Sequence, residues 1–259
     1  MRILMIRHAD PDYSIDSLTP EGWTQAQLLS KRLVKENIDD FYVSPLGRAK
    51  DTAAATLAAL GKTAQEKAWL REFPAQLDIT GSEFLMKTFP DTPLDESGQP
   101  RKSRHTWDMM PSMWMNDPDY YTPDGWRGLP VAQHSDMAQV YDRVCAGLDE
   151  LLASYGYVRD GHLYRVAQGN EKTIAFVCHF GVMMVLLSHL WGVSPHLLQH
   201  YLCVLPTGVT ELYSEEREKG TAVFRTTRIG DLSHLYAEGQ APTLSGMFCE
   251  MYENADQRH

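Results

Sequence analysis

A chain of 259 residues that is 43% hydrophobic and 22% charged can bury a sizeable core, and its mixed composition excludes a disordered or repetitive protein. The formal charge of −10 at pH 7, with a pI near 5.4, excludes the extended basic surface that nucleic acid or an anionic membrane requires, while leaving room for a local cationic pocket. Cys145, Cys178, Cys203 and Cys249 stand far apart in apolar settings without a C-x-x-C pair, and the first apolar run stops at Arg7, so the expectation is a cytosolic protein with reduced thiols.

Residues 2–6 read as a short buried strand. After a polar loop, Thr19-Pro20-Glu21 supplies an N-cap and a proline at the first helical position. The helix that follows should bury Trp23, Ala26, Leu29 and Leu33, which recur at three- and four-residue steps. Residues 41–43 read as a second strand, and Ser44-Pro45 repeats the cap-and-proline signal before an alanine-rich helix closed by Gly61. A third strand should end near Leu70. This β-α-β-α opening predicts a parallel sheet with helices on both faces.

Between residues 74 and 134 the pattern breaks. The segment holds eight of the fourteen prolines and three of the six tryptophans, which marks it as an insertion in the regular alternation. Regularity returns with a helix over about 135–155, a hairpin turning at Asp160-Gly161, a strand over 173–178, two helices, and two strands over about 208–214 and 222–228. From Thr173 to Thr210 there is no Asp, Glu, Lys or Arg, so residues 174–193 are long and apolar enough to span a bilayer. The first part is β-branched and aromatic and the part after Gly181 is rich in Met and Leu, so a buried strand followed by a buried helix is the reading taken.

Three strand-to-helix connections end in residues suited to phosphate: Arg7-His8, then Ser44 to Arg48, then His179. In a parallel sheet these loops emerge together at the carboxyl edge, where helix N-termini present free N–H groups. A phosphate monoester is nearly dianionic at neutral pH and needs forked, permanent cations, which Arg7 and Arg48 provide. A neutral imidazole can attack phosphorus, and His8, just past the first strand, is the candidate nucleophile. Expelling an alkoxide needs a proton, for which Glu72 is placed, with Asp10, Asp12 and His134 as other candidates.

The residues that carry this chemistry are Ile6-Arg7-His8-Ala9, the run Ser44-Pro45-Leu46-Gly47-Arg48-Ala49-Lys50-Asp51-Thr52-Ala53, Leu70-Arg71-Glu72, and Val177-Cys178-His179-Phe180-Gly181. Together they resemble the histidine phosphatase superfamily, the phosphoglycerate-mutase-like proteins, over about residues 1–72 and 134–214. The resemblance implies a three-layer α/β/α fold with a mainly parallel central sheet, one domain over 1–259 with the insertion 74–134 over the active site, and no metal or other cofactor. It puts the phosphorylated histidine on His8, the phosphate-binding arginines on Arg7 and Arg48, the second histidine on His179 and the proton donor on Glu72. Three positions depart from the family pattern. Ala9 stands where glycine is usual, which is tolerable if its φ is negative. Phe180 precedes Gly181, and Tyr13-Ser14 replaces the region where mutases commonly carry asparagine.

The expected activity is therefore hydrolysis of a small organic phosphate monoester through a phosphohistidine. A phosphoglycerate mutase-type phosphotransferase is the alternative, and a non-catalytic phosphate-binding module is a third reading. Within the insertion, Trp107, Trp114, Trp126 and Arg127, near Arg101, Lys102, Arg104 and His105, suggest a substrate lid, against which stands a small accessory core in which the aromatic residues simply pack. His196 and His200 lie four apart with His189 nearby, but zinc needs three or four converging ligands and no cysteine or carboxylate joins them at suitable spacing.

Overall fold

In a computed structural model, residues 1–80, 82–90, 98, 105–248, 250, 251, 253 and 254 are described. Arg101, Lys102, Arg104 and Cys249 lie outside them. The elements in chain order are β1 (Arg2–Arg7), β2 (Pro11–Asp12), β3 (Ser17–Leu18), α1 (Pro20–Leu33), β4 (Asp40–Val43), α2 (Gly47–Leu60), β5 (Ala64–Glu66), α3 (Glu83–Thr88), α4 (Pro111–Trp114), α5 (Pro130–Gln133), α6 (Met137–Ser154), β6 (Tyr157–Asp160), β7 (Leu163–Val166), β8 (Thr173–Cys178), α7 (Phe180–Trp191), α8 (Pro195–Tyr201), β9 (Val209–Glu218), β10 (Thr221–Asp231) and α9 (Ser233–Tyr236). The chain divides into two compact units, one made of Met1–Glu72, Leu151–Met183 and Cys203–His259, the other of Phe73–Glu150 and Met184–Leu202.

The first unit is an α/β unit built on an eight-stranded sheet in the order β5-β4-β8-β1-β9-β10-β7-β6. The four strands from β5 to β1 are parallel, and the β9, β10, β7 and β6 side is antiparallel. All six residues of β8 are buried, as a central parallel strand covered on both faces requires. On one face, Leu4 and Ile6 of β1, Phe41 and Val43 of β4, and Ala175 and Val177 of β8 pack with Leu29 and Leu33 of α1 and Ala49 and Ala53 of α2. On the other, Phe176 meets Tyr42 and Trp69 edge-on.

Several expectations need correction. Trp23 is not on the buried face of α1, which is instead made of Gly22, Gln25, Ala26, Leu29, Ser30 and Leu33. Ser44 does not cap α2, because Pro45 and Leu46 remain outside the helix and it begins at Gly47 with Leu46 at the cap position. The third strand stops at Glu66, and a 3-10 turn over Ala68–Leu70 carries the chain to Glu72. The Thr19 cap is present, its side chain accepting from the Gly22 N–H, and Gly61 closes α2 in the left-handed conformation. The charge-free stretch folds as β8 followed by α7, and no helix among the described residues is long and apolar enough to cross a membrane.

The second unit has an aromatic core. Trp114 packs on Tyr120, Tyr121, His200 and Tyr201, and Trp126 on Tyr141 and His196. The α6 residues Val140, Tyr141, Val144 and Leu148 are buried at three- and four-residue spacing.

Candidate active site

Strand register brings the site together. Arg7 of β1 pairs level with Cys178 of β8, and Val43 of β4 with Val177, so His8, Ser44 and His179 all follow immediately at one sheet edge. Adjacent strands lie about 5 Å apart, and the rings of His8 and His179 sit with centroids 5.0 Å apart.

The loop after β1 is held atom by atom. The His8 N–H donates to the Cys178 carbonyl at 2.9 Å. The Ala9 N–H donates to Thr52 Oγ1 at 2.9 Å, and Thr52 in turn donates to the Arg48 carbonyl at 2.7 Å. The Asp10 N–H donates to Gln25 Oε1 at 3.0 Å. Beneath the pair, Thr207 has φ of 62° and its N–H reaches the carbonyls of both Arg7 and His8. Left-handed backbone is costly for a β-branched residue and persists only where the surroundings over-determine it. Ala9 is not among the positive-φ residues, and its side chain is buried with Leu18 and Ala26, which satisfies the condition for alanine at this position.

The protonation of His8 follows from its partner. Nδ1 lies 2.7 Å from the Ala9 carbonyl, which can only accept, so Nδ1 carries the proton and Nε2 keeps its lone pair. Burial, then the charge of Arg7, pulls the imidazole down to about 3, so it is neutral at physiological pH. Burial, then His8 and Arg48, likewise holds His179 well below the ordinary histidine value. Its Nε2 is 2.7 Å from Ser44 Oγ, which already accepts the Leu46 N–H, so the hydroxyl hydrogen is best spent on Nε2. That tautomer leaves a proton on Nδ1, a buried donor without a partner among the described residues.

Arg7 and Arg48 are both buried, 5% and 8% exposed, where a guanidinium makes sense only beside an anion or well-placed acceptors. Arg48 Nη1 donates to Asp16 Oδ1 at 2.6 Å and its guanidinium lies 5.3 Å from the centre of the Tyr13 ring. Burial pulls Arg7 below its ordinary value, opposed by Tyr13 and then by Glu72, which places Glu72 within electrostatic reach of the site. Glu72 Oε1 also accepts from the Val182 N–H at 3.3 Å, in the first turn of α7, where a carboxylate is favoured.

Sequence reasoning missed Ser44 as the partner of His179, and it missed Asp16, Gln25, Thr52 and Thr207. Ser44 and Thr52 stand in the same run of residues as Arg48, and Thr52 follows Arg48 by one helical turn. No sequence signal marks Gln25 or Asp16. Of the proposed lid residues, Trp114 and Trp126 are fully buried in the second unit, and Arg127 bonds Asp124 and Asp142 while covering Trp126. Trp107 stacks on His105 at 4.6 Å. The lid rests on sequence position alone. His134 is exposed in the second unit. His196 and His200 lie in the aromatic core with ring centroids 6.1 Å apart, and His189 Nε2 is 2.8 Å from Asp149 Oδ2.

The arrangement can place a tetrahedral dianion between two imidazoles and two guanidinium groups, with a lone pair for attack and a carboxyl group nearby. The description of the histidine phosphatase superfamily (branch 1) matches residues 3–106. A Hydrogenobacter thermophilus protein named "Putative phosphoserine phosphatase 2" is 23% identical over 238 residues, covering 86% of this chain and 94% of its own. Two solved structures share the fold. One is a phosphoserine phosphatase from Entamoeba histolytica in complex with 3-phosphoglyceric acid, with TM-score 0.54, 18% identity, and coverage of 90% of this chain and 98% of that one. The other is a mycobacterial glucosyl-3-phosphoglycerate phosphatase, with TM-score 0.52, 19% identity, and coverage of 87% and 96%.

Proposed function

We propose that this chain is a phosphoric monoester hydrolase of the histidine phosphatase superfamily that moves the phosphoryl group of a small organic phosphate onto His8 and then to water. The observation that carries the reading is the imidazole pair at 5.0 Å, with His8 Nδ1 committed to a carbonyl and Nε2 left to attack.

In the first step the Nε2 lone pair forms the P–N bond as the P–O bond to the leaving group breaks. Glu72 gives its proton to the departing alkoxide, while Arg7, Arg48 and the Nδ1–H of His179 hold the equatorial oxygens. In the second step water attacks phosphorus, the Glu72 carboxylate takes its proton, the P–N electrons return to Nε2, and inorganic phosphate leaves. Splitting the displacement lets one imidazole serve as nucleophile and then as leaving group. Small phosphorylated hydroxy acids, phosphoserine and 3-phosphoglycerate derivatives first, are the substrates to try, since proteins of those names share this fold. We assign the reaction to the cytoplasm on the unpaired thiols of Cys145, Cys178 and Cys203.

The test is rapid acid-free quenching with a labelled ester. Wild type should accumulate an alkali-stable, acid-labile phosphoenzyme and release inorganic phosphate with excess chelator present, and His8→Ala should do neither. Glu72→Gln should lose turnover of alkyl esters while still forming the phosphoenzyme from an aryl ester, whose leaving group needs little protonation. Conversion of 3-phosphoglycerate to its 2-isomer without phosphate release would make the protein a mutase instead.

A further inference from the structure

The chain beyond α9 runs back along α1 to the phosphate-handling residues, by contacts that the hydrolytic reading does not use. Lys31 pairs with Glu238 at 2.9 Å and Gln240 Nε2 donates to Glu21. Deeper in, Gln25 is fully buried, and its amide orientation is forced. Oε1 must face the Asp10 N–H, a pure donor, so Nε2 faces Thr243 Oγ1, to which it donates at 3.0 Å. One amide thus ties residue 243 to the backbone two residues beyond His8.

The segment then reaches Arg7 itself. Nη1 donates one hydrogen to the Val204 carbonyl at 2.7 Å and the other to the Ser245 carbonyl at 3.0 Å. With Nη1 saturated, the guanidinium plane is fixed. Nε is buried and has no partner among the described residues, which leaves the Nε–Nη2 edge as the one that a bidentate phosphoryl contact would use. Gly246 matters here through its backbone: its φ is +94°, a conformation that L side chains rarely adopt, and it lies directly against the guanidinium, an added Cβ standing 3.4 Å from both Nη1 and Nη2, in van der Waals contact.

We infer that residues 240–246 are part of the phosphate pocket as a positioning element, with the Ser245 carbonyl aiming Arg7 and the Thr243–Gln25 link holding the loop after His8. The inference rests on the reading of Arg7 as a phosphate ligand. A guanidinium held on one side by two fixed carbonyls has little freedom to lose when the anion arrives, whereas a loose one must be ordered at that moment.

Two full-length variants test it, Gly246→Ala and Thr243→Val, with exposed Phe248→Ala as control. The readouts are kcat and KM for p-nitrophenyl phosphate, the inhibition constant of inorganic phosphate, and the melting temperature. Gly246→Ala should raise KM and the phosphate inhibition constant by about tenfold or more, because relief of the strain at its positive φ shifts the Ser245 carbonyl and with it the bidentate edge of Arg7, while the melting temperature falls by only a few degrees, about what that local strain costs. Thr243→Val should lower kcat more than it raises KM, because the nucleophile's loop is what it frees. Gly246→Ala within twofold of wild type in both constants would overturn the proposal. Arg7→Ala separates the two layers: if it weakens phosphate while the segment variants do not, only this inference falls, and if it leaves phosphate affinity unchanged the function reading falls with it.

Discussion

His8 is buried beside two guanidinium groups, and those neighbours decide how it responds to pH. Because burial and Arg7 hold the free-enzyme imidazole down to about 3, it remains neutral across the whole working range. Loss of kcat/KM on acidification should then follow the substrate, whose second ionisation lies near pH 6, rather than His8. Measured with an aryl and an alkyl phosphate of different second pKa, the acid limb should move with the ester. A limb fixed at one pH for both would mean that an enzyme group titrates there. At this scale the sequence marked the side chains that the proposed reaction uses, since Arg7, His8 and His179 sit at or just past strand ends and strand ends are readable from apolar runs. It concealed the groups that fix their protons and angles. Ser44 looks like a helix cap and instead meets His179, and Gln25, Asp16 and Thr207 matter through partners that only the folded chain supplies.

Elements meet around the site at two glycines. Gly22, in the first turn of α1, lies where an added Cβ would stand 2.1 Å from the Asp10 carbonyl oxygen, and Gly47, at the start of α2, is equally tight against the Asp16 carbonyl. Both helices therefore dock by backbone contact on the loop that follows β1. Helix propensity alone says that Gly22→Ala should stabilise α1 by about 1 kcal/mol. The overlap is with backbone, which cannot swing aside like a side chain, and overpacking of this kind costs about 1–3 kcal/mol, so the clash should win. Gly22→Ala is expected to melt lower and to lose about a hundredfold in kcat/KM through displacement of Asp10 and of His8, the proposed nucleophile. A variant as active as wild type and more stable would show that the loop is not held by this contact. The sequence revealed the parallel β-α-β-α opening through proline and cap signals at Thr19-Pro20 and through the glycine stop at Gly61. Strand ends were less legible where a three-residue strand with two polar residues pairs only at the sheet edge, as in β5, and the antiparallel strands β9 and β10 run several residues past their apolar alternation because each supplies the other's hydrogen bonds.

Across the whole molecule, buried histidines set the response to acid. Burial holds His8 at about 3 and His200 and His234 at about 4, and holds His179 and His196 well below the ordinary value. Each has its folded-state pKa depressed from 6.5, so between that value and its folded one the unfolded chain binds the extra proton. The native state is therefore favoured above pH 6.5, and this advantage is lost progressively as pH falls towards 4, by about 1.4 kcal/mol per pH unit for each fully neutral imidazole. His196 isolates one such contribution. Neither of its ring nitrogens has a hydrogen-bond partner among the described residues, and its ring lies edge-on to Tyr120 at 5.1 Å and to Trp126 at 5.8 Å, a setting that suits a phenyl ring. His196→Phe removes the buried polar atoms and the proton they would take up on unfolding. Denaturant titrations at pH 7.5 and pH 5 should show the wild type losing stability on acidification, and the variant losing less by about one proton's worth, while matching or exceeding wild type at pH 7.5. An unchanged difference between the two pH values would mean that His196 is already protonated, or hydrated, in the folded state.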